Sequence, residues 1–414
     1  MGLFQNRTSS LARLSDVGER PVLVVGFTHS QTAIVLHGRL RAFREAGFRV
    51  VVISSPGPLL DRLAQEECVE FIPVPMERGI APIRDIVSLV RLCVELRRLK
   101  PVISEFSTPK AGLLGNLAAF VCRVPKRVYL LRGLRLETAH GAKRFALWAS
   151  ELVAGSCSHV VLCNSPSLLE SARKLRLAPE RKLQLVGQGS SRGVNTDHFR
   201  PGPASVRPEL VLRSASPLIG YFGRLTRDKG IPQLLEAFDQ LLRIRPAARL
   251  LLVGWYDSSD DALSEEQRRH IDAHPSITRT GFVSDPAPYY RGLDMLVLPT
   301  FREGFPNVAL EAAATGVPVI TTSATGARDA VRAGVTGLTV APGDVAGLLA
   351  AMETLAGDPK RARQMGADGR NWVLKYFTQD RVQSLSLTFY RNLLRSRQTV
   401  GVRAATTREA AQGD

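Results

Sequence analysis

The 414-residue chain carries 55 Lys and Arg against 38 Asp and Glu, a formal net charge of +17, with 44% hydrophobic and 22% charged residues. That length exceeds one ordinary core and fits two domains, and that composition excludes a disordered chain. No apolar run is long enough to span a bilayer, which excludes a membrane-spanning helix. In chain order, residues 1–20 read as a polar leader, and P-V-L-V-V-G-F at 21–27 reads as a buried first strand. A helical pattern follows at 31–46, then strands at 48–55, 68–75, 101–105, 126–132 and 159–164, with a long Arg-rich amphipathic helix at 82–99. The Pro- and Gly-containing stretch 198–217 reads as a connector. A second series then places strands at 218–223, 248–254, 277–282, 295–300, 317–322 and 337–342. Helices close the chain at 345–357, 359–375 and 379–395, before a frayed tail. Short β-branched runs alternating with helices predict an α/β fold with two doubly wound parallel sheets. In such folds ligands bind outside the carboxyl ends of the strands, here from both sides of a cleft between the domains.

The basic excess fits nucleic acid, an anionic membrane surface or phosphorylated small substrates as partners. There is no zinc-finger spacing, RNP-like aromatic pair or lysine-rich tail, so nucleic acid is not expected. The five cysteines, Cys68, Cys93, Cys122, Cys157 and Cys163, form no C-x-x-C pair and read as free thiols, most of them buried, in a reducing compartment. M-G-L-F-Q-N-R-T-S-S lacks an apolar signal segment. A cytoplasmic location follows, with peripheral contact at the inner face of the membrane as an extension of it.

The chemistry concentrates in the second series. In T-F-R-E-G-F-P-N-V-A-L-E-A-A-A, Glu303 lies in the loop after a strand, and Glu311 lies inside the following helix. A helix start leaves backbone N–H groups free, so Phe305, Pro306, Asn307 and Val308 mark a site for an anion or sugar oxygen. Glu303 sits where it can accept sugar hydroxyls, and Glu311, among apolar neighbours, where it can take ribose hydroxyls. In G-R-L-T-R-D-K-G, 223–230, Gly223 ends a strand, and Arg224 and Lys229 bring two cations to one loop, which suits a diphosphate without a metal. Gly254 permits close approach of a ligand, and the backbone at Val283 can pair with a nucleobase edge. A G-x-x-x-x-G-K-[ST] loop, a G-x-G-x-x-G turn after the first strand, an H-E-x-x-H pair and a G-x-S-x-G elbow are all absent from the sequence, and no cofactor or metal is expected. D-S-S-D-D at 257–261 reads as an acidic loop.

G-R-L-T-R-D-K-G, E-G-F-P-N-V-A-L-E and G-V-T-G-L-T-V-A-P together resemble the retaining glycosyltransferases of family 4, over roughly residues 20–395. The resemblance implies the GT-B architecture: an acceptor-binding Rossmann-like domain at 21–200, a linker at 201–217, a nucleotide-sugar domain at 218–378, a helix at 379–395 crossing back to the first domain, and a flexible tail at 396–414. It implies Arg224, Lys229 and Glu303 as catalytic residues, with the two cations on the donor diphosphate and Glu303 by the donor sugar. Glu311 would bind the ribose. F-I-P-V-P-M-E-R-G-I-A-P, T-P-K-A-G-L-L-G-N-L-A-A and L-R-G-L-R-L-E-T are similar to bacterial transferases that build glycans on polyprenyl diphosphate. A UDP-sugar donor and a lipid-linked acceptor follow from that likeness.

Two features depart from the family pattern. G-F-T-H-S-Q-T replaces a glycine-rich loop, and S-E-F-S-T-P-K lacks the histidines usual there. His29, Glu105, Lys110 and Arg132 are the acceptor-side candidates left. The expected reaction moves a hexosyl or N-acetylhexosaminyl group with retention, without a divalent ion, in cell-surface polysaccharide or glycoconjugate synthesis. The alternatives are a non-hydrolysing UDP-sugar epimerase, for which no acid–base constellation about the sugar C2 can be assembled, and a non-catalytic sugar-nucleotide-binding protein. Arg84, Arg91, Arg97, Arg98 and Lys100 on or beside the 82–99 helix fit anionic head groups as well as they fit a solvated face.

Overall fold

The structure, a computed structural model, describes residues 20–77, 79, 81–203 and 217–396. The leader at 1–20 (all but its last residue), most of the 201–217 connector and the tail after 396 lie outside the described residues.

The chain opens with β1 (Val22–Gly26), a 3-10 turn (Ser30–Val35), α1 (Arg39–Glu45), β2 (Arg49–Ser54), α2 (Pro58–Glu67) and β3 (Glu70–Pro73). α3 (Pro82–Leu99), β4 (Ile103–Ser107), α4 (Pro109–Val121), β5 (Lys126–Leu131), α5 (Gly141–Cys157), β6 (Val160–Cys163), α6 (Pro166–Lys174) and β7 (Leu183–Leu185) follow. Proline opens α2, α3, α4 and α6 within their first two residues, where its missing N–H costs nothing. These strands form one seven-stranded sheet in the order β3-β2-β1-β4-β5-β6-β7.

The second series comprises β8 (Leu218–Phe222), α7 (Ile231–Ile244), β9 (Arg249–Val253), α8 (Glu265–Ala273), β10 (Ile277–Gly281), α9 (Ala287–Tyr290), β11 (Met295–Leu298), α10 (Asn307–Ala314), β12 (Val319–Thr322) and β13 (Gly337–Val340). Its sheet has six parallel strands in the order β10-β9-β8-β11-β12-β13. α11 (Val345–Gly357), α12 (Pro359–Tyr376) and α13 (Gln379–Arg395) end the described chain. Strand order reverses between β1 and β4 in the first sheet, and between β8 and β11 in the second. Loops leaving those four strands are where a doubly wound sheet binds its ligands.

Two readings of the sequence are corrected. The helix expected at 31–46 is broken, because His29 caps a 3-10 turn and Gly38 adopts φ 79° before α1 begins. The strand expected at 101–105 runs from Ile103 to Ser107. Pro101 cannot donate to a ladder, and the buried Ser104 and Ser107 hide the strand from an apolar pattern. β7 is only three residues long and gave no sequence signal. The cysteines are free, but Cys68 is exposed.

The described chain divides into two compact units. One holds residues up to Leu130, Val153–Val160 and Leu387 onward into the last described turn. The other holds Leu131–Leu152 and Val161–Ser386. In the first unit the core forms around Val24, Val51, Ile53, Leu92, Leu96 and Phe106. Within it Arg39 donates to both oxygens of Glu105, at 2.7 and 2.6 Å, and the Tyr390 hydroxyl of α13 also donates to Glu105. The three side chains are almost wholly enclosed, and Tyr390 meets Phe43 edge-on at 4.9 Å. In the second unit the core is built from β8, β9, β11 and β12 and the inward faces of α7, α10, α11 and α12.

Candidate active site at the ends of β8 and β11

Gly223 follows β8 directly, and its N–H donates to the Val253 carbonyl at 2.9 Å. Gly254, after β9, packs so closely that a Cβ there would lie 1.8 Å from the Gly223 carbonyl oxygen, at φ +157°. The two loops therefore rise from the sheet as one layer. Arg224 leaves that layer with its carbonyl held by the buried Tyr221 hydroxyl at 2.7 Å. Its guanidinium pairs with Asp257, and lies 4.0 Å from Asp228. Burial works against its charge, but Asp257 and Asp228 outweigh that and raise its pKa. Lys229 ends a 3-10 turn, and its ammonium reaches Glu303 at 2.5 Å. Thus the loop after β8 and the loop after β11 meet through a cation and a carboxylate, at the point where the strand order reverses.

Asp228, between them, accepts from Arg302 at 2.7 Å and from the Thr226 hydroxyl at 2.6 Å. Burial pushes its carboxyl upward, but Lys229, Arg302, Thr226 and Arg224 together hold it below the ordinary 3.8. A depressed folded pKa adds stability that is fully present above the unfolded value and is lost as pH falls through the folded one. Urea titrations below pH of about 4 will therefore show a shallower loss of stability in Asp228→Asn than in the parent. Equal slopes would mean that Asp228 carries no such linkage.

The Glu303 loop is held by backbone. Glu303 N–H donates to the Thr325 carbonyl at 2.9 Å. A Cβ on Gly304 would lie 2.1 Å from the Arg132 carbonyl oxygen, so the loop and the segment from Leu131 onward in the same unit touch main chain to main chain. Gly304→Ala must move one of them. A displacement of about 1 Å in such a loop costs on the order of 100-fold in rate, measurable as kcat/KM, and wild-type kinetics would show that the close approach is dispensable.

α10 then begins at Asn307, and its N-cap Pro306 makes no side-chain hydrogen bond to the first turn. Phe305 is turned inward, buried against Phe377 at 5.3 Å, and Val308 packs on the same core. Of these positions, backbone rather than side chain is what Phe305 can offer a ligand. Glu311, just over one turn in, is 4% exposed. It takes Arg192 on one oxygen and the Tyr290 hydroxyl on the other at 3.1 Å. Burial and the Glu311 carboxylate push the Tyr290 phenol far above its ordinary range, so it remains a donor. Tyr290 also stacks on Phe222 at 4.1 Å, which fixes its height above β8. Val283 is half-buried beyond Gly281, which bridges Gly254.

The acceptor-side candidates are placed differently from one another. Arg132 belongs to the same compact unit as Glu303, and donates to the Ser191 hydroxyl at 3.1 Å. His29, Glu105 and Lys110 belong to the other unit. His29 Nδ1 accepts from the Gln31 N–H at 3.3 Å. Lys110 grips both oxygens of Asp85 at 2.6 Å, joining α4 to α3. Glu105 is corrected from an acceptor-facing acid to the centre of the buried group with Arg39 and Tyr390, since at 1% exposure it neutralises the enclosed Arg39 guanidinium bidentately and takes the Tyr390 hydroxyl as well.

Sequence reasoning missed Arg192, Tyr290, Asp257, Asp228 and Arg302. Arg192 lies in the segment G-S-S-R-G-V-N, and Asp257 opens the acidic D-S-S-D-D loop. Among the described residues, one group has metal-ligand chemistry: Asp239, His270 and His274, whose donor atoms lie within 4.8 Å of one another. Ser276 N–H donates to His274 Nδ1 at 3.0 Å, so the neutral ring keeps its proton on Nε2, the nitrogen turned toward Asp239. With that proton in place, His274 offers no lone pair on the side that faces Asp239.

The family model described as Glycosyl transferases group 1 matches residues 216–358. The chain is 34% identical over 367 residues to the capsular polysaccharide biosynthesis glycosyltransferase CapM of Staphylococcus aureus, covering 87% of this chain and 96% of that protein. It is 24% identical over 334 residues to a UDP-Gal:alpha-D-GlcNAc-diphosphoundecaprenol alpha-1,3-galactosyltransferase of Escherichia coli, covering 79% and 84%. Among solved structures, Anabaena HepE in complex with UDP and glucose superposes with a TM-score of 0.74 at 18% identity, covering 91% of this chain and 100% of that one. Two parallel sheets with this strand order, the group 1 match over the second, and 34% identity along nearly all of a named transferase make the chain a member of the group 1 glycosyltransferases, with the GT-B fold.

Proposed function

We propose that this glycosyltransferase is a retaining, metal-independent enzyme that moves a hexosyl or N-acetylhexosaminyl group from a UDP-sugar to a polyprenyl-diphosphate-linked glycan in cell-surface polysaccharide synthesis. The observation that carries the reading is the meeting of Lys229 and Glu303 across the β8 and β11 loops, with Arg224 on the same loop as Lys229. A diphosphate set there has two cations within one loop, and the sugar it carries falls beside an acid. Glu311, already oriented by Arg192 and Tyr290, is the acid for the ribose. The UDP donor is supported by the UDP complexes of HepE, and the lipid-linked acceptor by the name of the E. coli relative. Polysaccharide synthesis is supported by the name of CapM. Such work is set at the inner face of the cytoplasmic membrane, and Arg132, in the same unit as Glu303, is the acceptor-side candidate carried forward.

In the reaction the bond between the sugar C1 and the diphosphate oxygen breaks. A bond from C1 to the acceptor hydroxyl oxygen forms on the same face, and the hydroxyl proton passes to the departing phosphate. Arg224, Lys229 and the α10 N–H groups stabilise the charge that develops on that phosphate. Glu303 holds sugar hydroxyls, so the two-carboxylate scheme of glycosidases is not used.

Incubating the protein with UDP-sugars and extracted polyprenyl-diphosphate glycans tests this. Acceptor-dependent UDP release that persists in chelator, with a product of unchanged anomeric configuration, is the expected result. An inverted product, or loss of activity in chelator, overturns the mechanism. Sugar interconversion without acceptor would make the protein an epimerase, and UDP binding without any turnover a carrier.

A further inference from the structure

α3 has two apolar faces, and only one is used by the fold. Leu92, Leu96 and Leu99 enter the core of the first unit. On the opposite side Ile83, Ile86, Val87, Val90 and Val94 are 80, 62, 47, 57 and 55% exposed. Their spacing of three, four, seven and eleven residues from Ile83 puts all five on one stripe. A scattered exposed aliphatic needs no explanation, but a continuous stripe of five branched ones does. The surface does not stop there. The Cys122 thiol at the end of α4 contacts the Cys93 carbonyl of α3 at 3.5 Å, and the neighbouring Phe120 and Val121 are half-exposed.

Charge frames the stripe. Arg84, Arg91 and Arg98 recur every seven residues, which sets them in a row along one border of it. Arg97 lies toward the other border, and Lys100 and Arg123 follow the two helices. Two acids, Glu77 and Glu95, answer Arg84 and Arg98. The helix is about 27 Å long and lies along the surface, so this is an interfacial geometry and not a spanning one. Among the described residues no helix is long and apolar enough to cross a membrane. A second copy of the chain fits the surface poorly, because antiparallel pairing of two α3 stripes would set Arg84 of one against Arg98 of the other. Lipid phosphates complement the same row.

We propose that the outward face of α3, extended by the last turn of α4, is a membrane-docking surface. Its aliphatic stripe seats at the boundary of head groups and acyl chains, and its arginine row binds anionic phosphates. The distinction from a purely electrostatic attraction is that the apolar part resists salt. Flotation of the full chain with phosphatidylglycerol-containing vesicles, against phosphatidylcholine vesicles, tests this without donor or acceptor, so its outcome is separable from that of the transfer assay.

The parent protein is expected to float with the anionic vesicles. Ile86→Ser/Val90→Ser/Val94→Ser lowers partitioning at least about 100-fold, from roughly tenfold per aliphatic side chain withdrawn from water. Arg84→Gln/Arg91→Gln lowers it about 25-fold at low salt and much less at high salt. Unchanged thermal unfolding of both variants, whose altered residues are exposed, attributes the loss to the surface. Parent protein that stays at the bottom of the gradient at low salt, or a triple variant that floats as the parent does, overturns the proposal. A parent dimer that the triple variant splits, with no flotation of either, reassigns the face to a second copy.

Discussion

Lys229→Ala lowers kcat/KM by about 100- to 1,000-fold, the usual cost of removing one preorganised donor from a site where negative charge develops. Lys229, on the loop after β8, donates to Glu303 and to the Arg302 carbonyl of the loop after β11, so on the proposed reading the variant loses phosphate stabilisation and frees the carboxylate that takes the sugar. UDP affinity falls less than turnover, because the interaction strengthens as the leaving group gains charge. Arg224→Lys keeps the charge but not the planar fork facing Asp257, and falls short of the parent by a similar factor. The double variant loses less than the product of the single losses, since on the proposed reading both cations serve one diphosphate. Steady-state rates with a fixed acceptor decide it. Near-parental turnover in either single variant removes that residue from the mechanism.

Glu105→Ala is the most destabilising single change expected outside the donor site. It leaves the Arg39 guanidinium enclosed without its carboxylate, a loss of about 3–5 kcal/mol when one partner of a buried pair is removed. Tyr390, which donates to the same carboxylate from α13, loses its acceptor as well. Arg39→Met with Glu105→Leu recovers much of the stability, because replacing a whole buried pair by packed apolar groups is far cheaper than halving it. Urea unfolding of the three proteins compares them directly. A single variant within about 1 kcal/mol of the parent would show water reaching the group despite its burial.

That group also shows where sequence reading stops. Helices with strong periodicity and a clear start were legible to the residue: 82–99 with Pro82 at its head, 345–357 behind the Asp344 cap, and 379–395. The candidates for the donor could be named because strand, loop and helix start carry them within a few positions of one another. Their partners could not. Arg192 meets Glu311 across 119 positions and Asp257 meets Arg224 across 33, and no local pattern announces such pairs. Glu105 was misplaced for a related reason. A carboxylate after an apolar run looks like a functional acid until the arginine 66 positions earlier is seen to neutralise it.

The pairing of Arg224 with Asp257 and of Lys229 with Glu303 has a consequence for selectivity. An anion that approaches these cations competes with carboxylates already in place. Inorganic phosphate or pyrophosphate can displace them only by leaving Glu303 facing another negative group. A nucleotide sugar, on the proposed reading, brings its own remedy: hydroxyls that donate to Glu303 at the same moment as its phosphates take Lys229. The loop then works as an exchange of partners, in which a ligand is held well only if it presents an acceptor and a donor at the right separation. An anion with no hydroxyl at that separation lacks the second half of that signature.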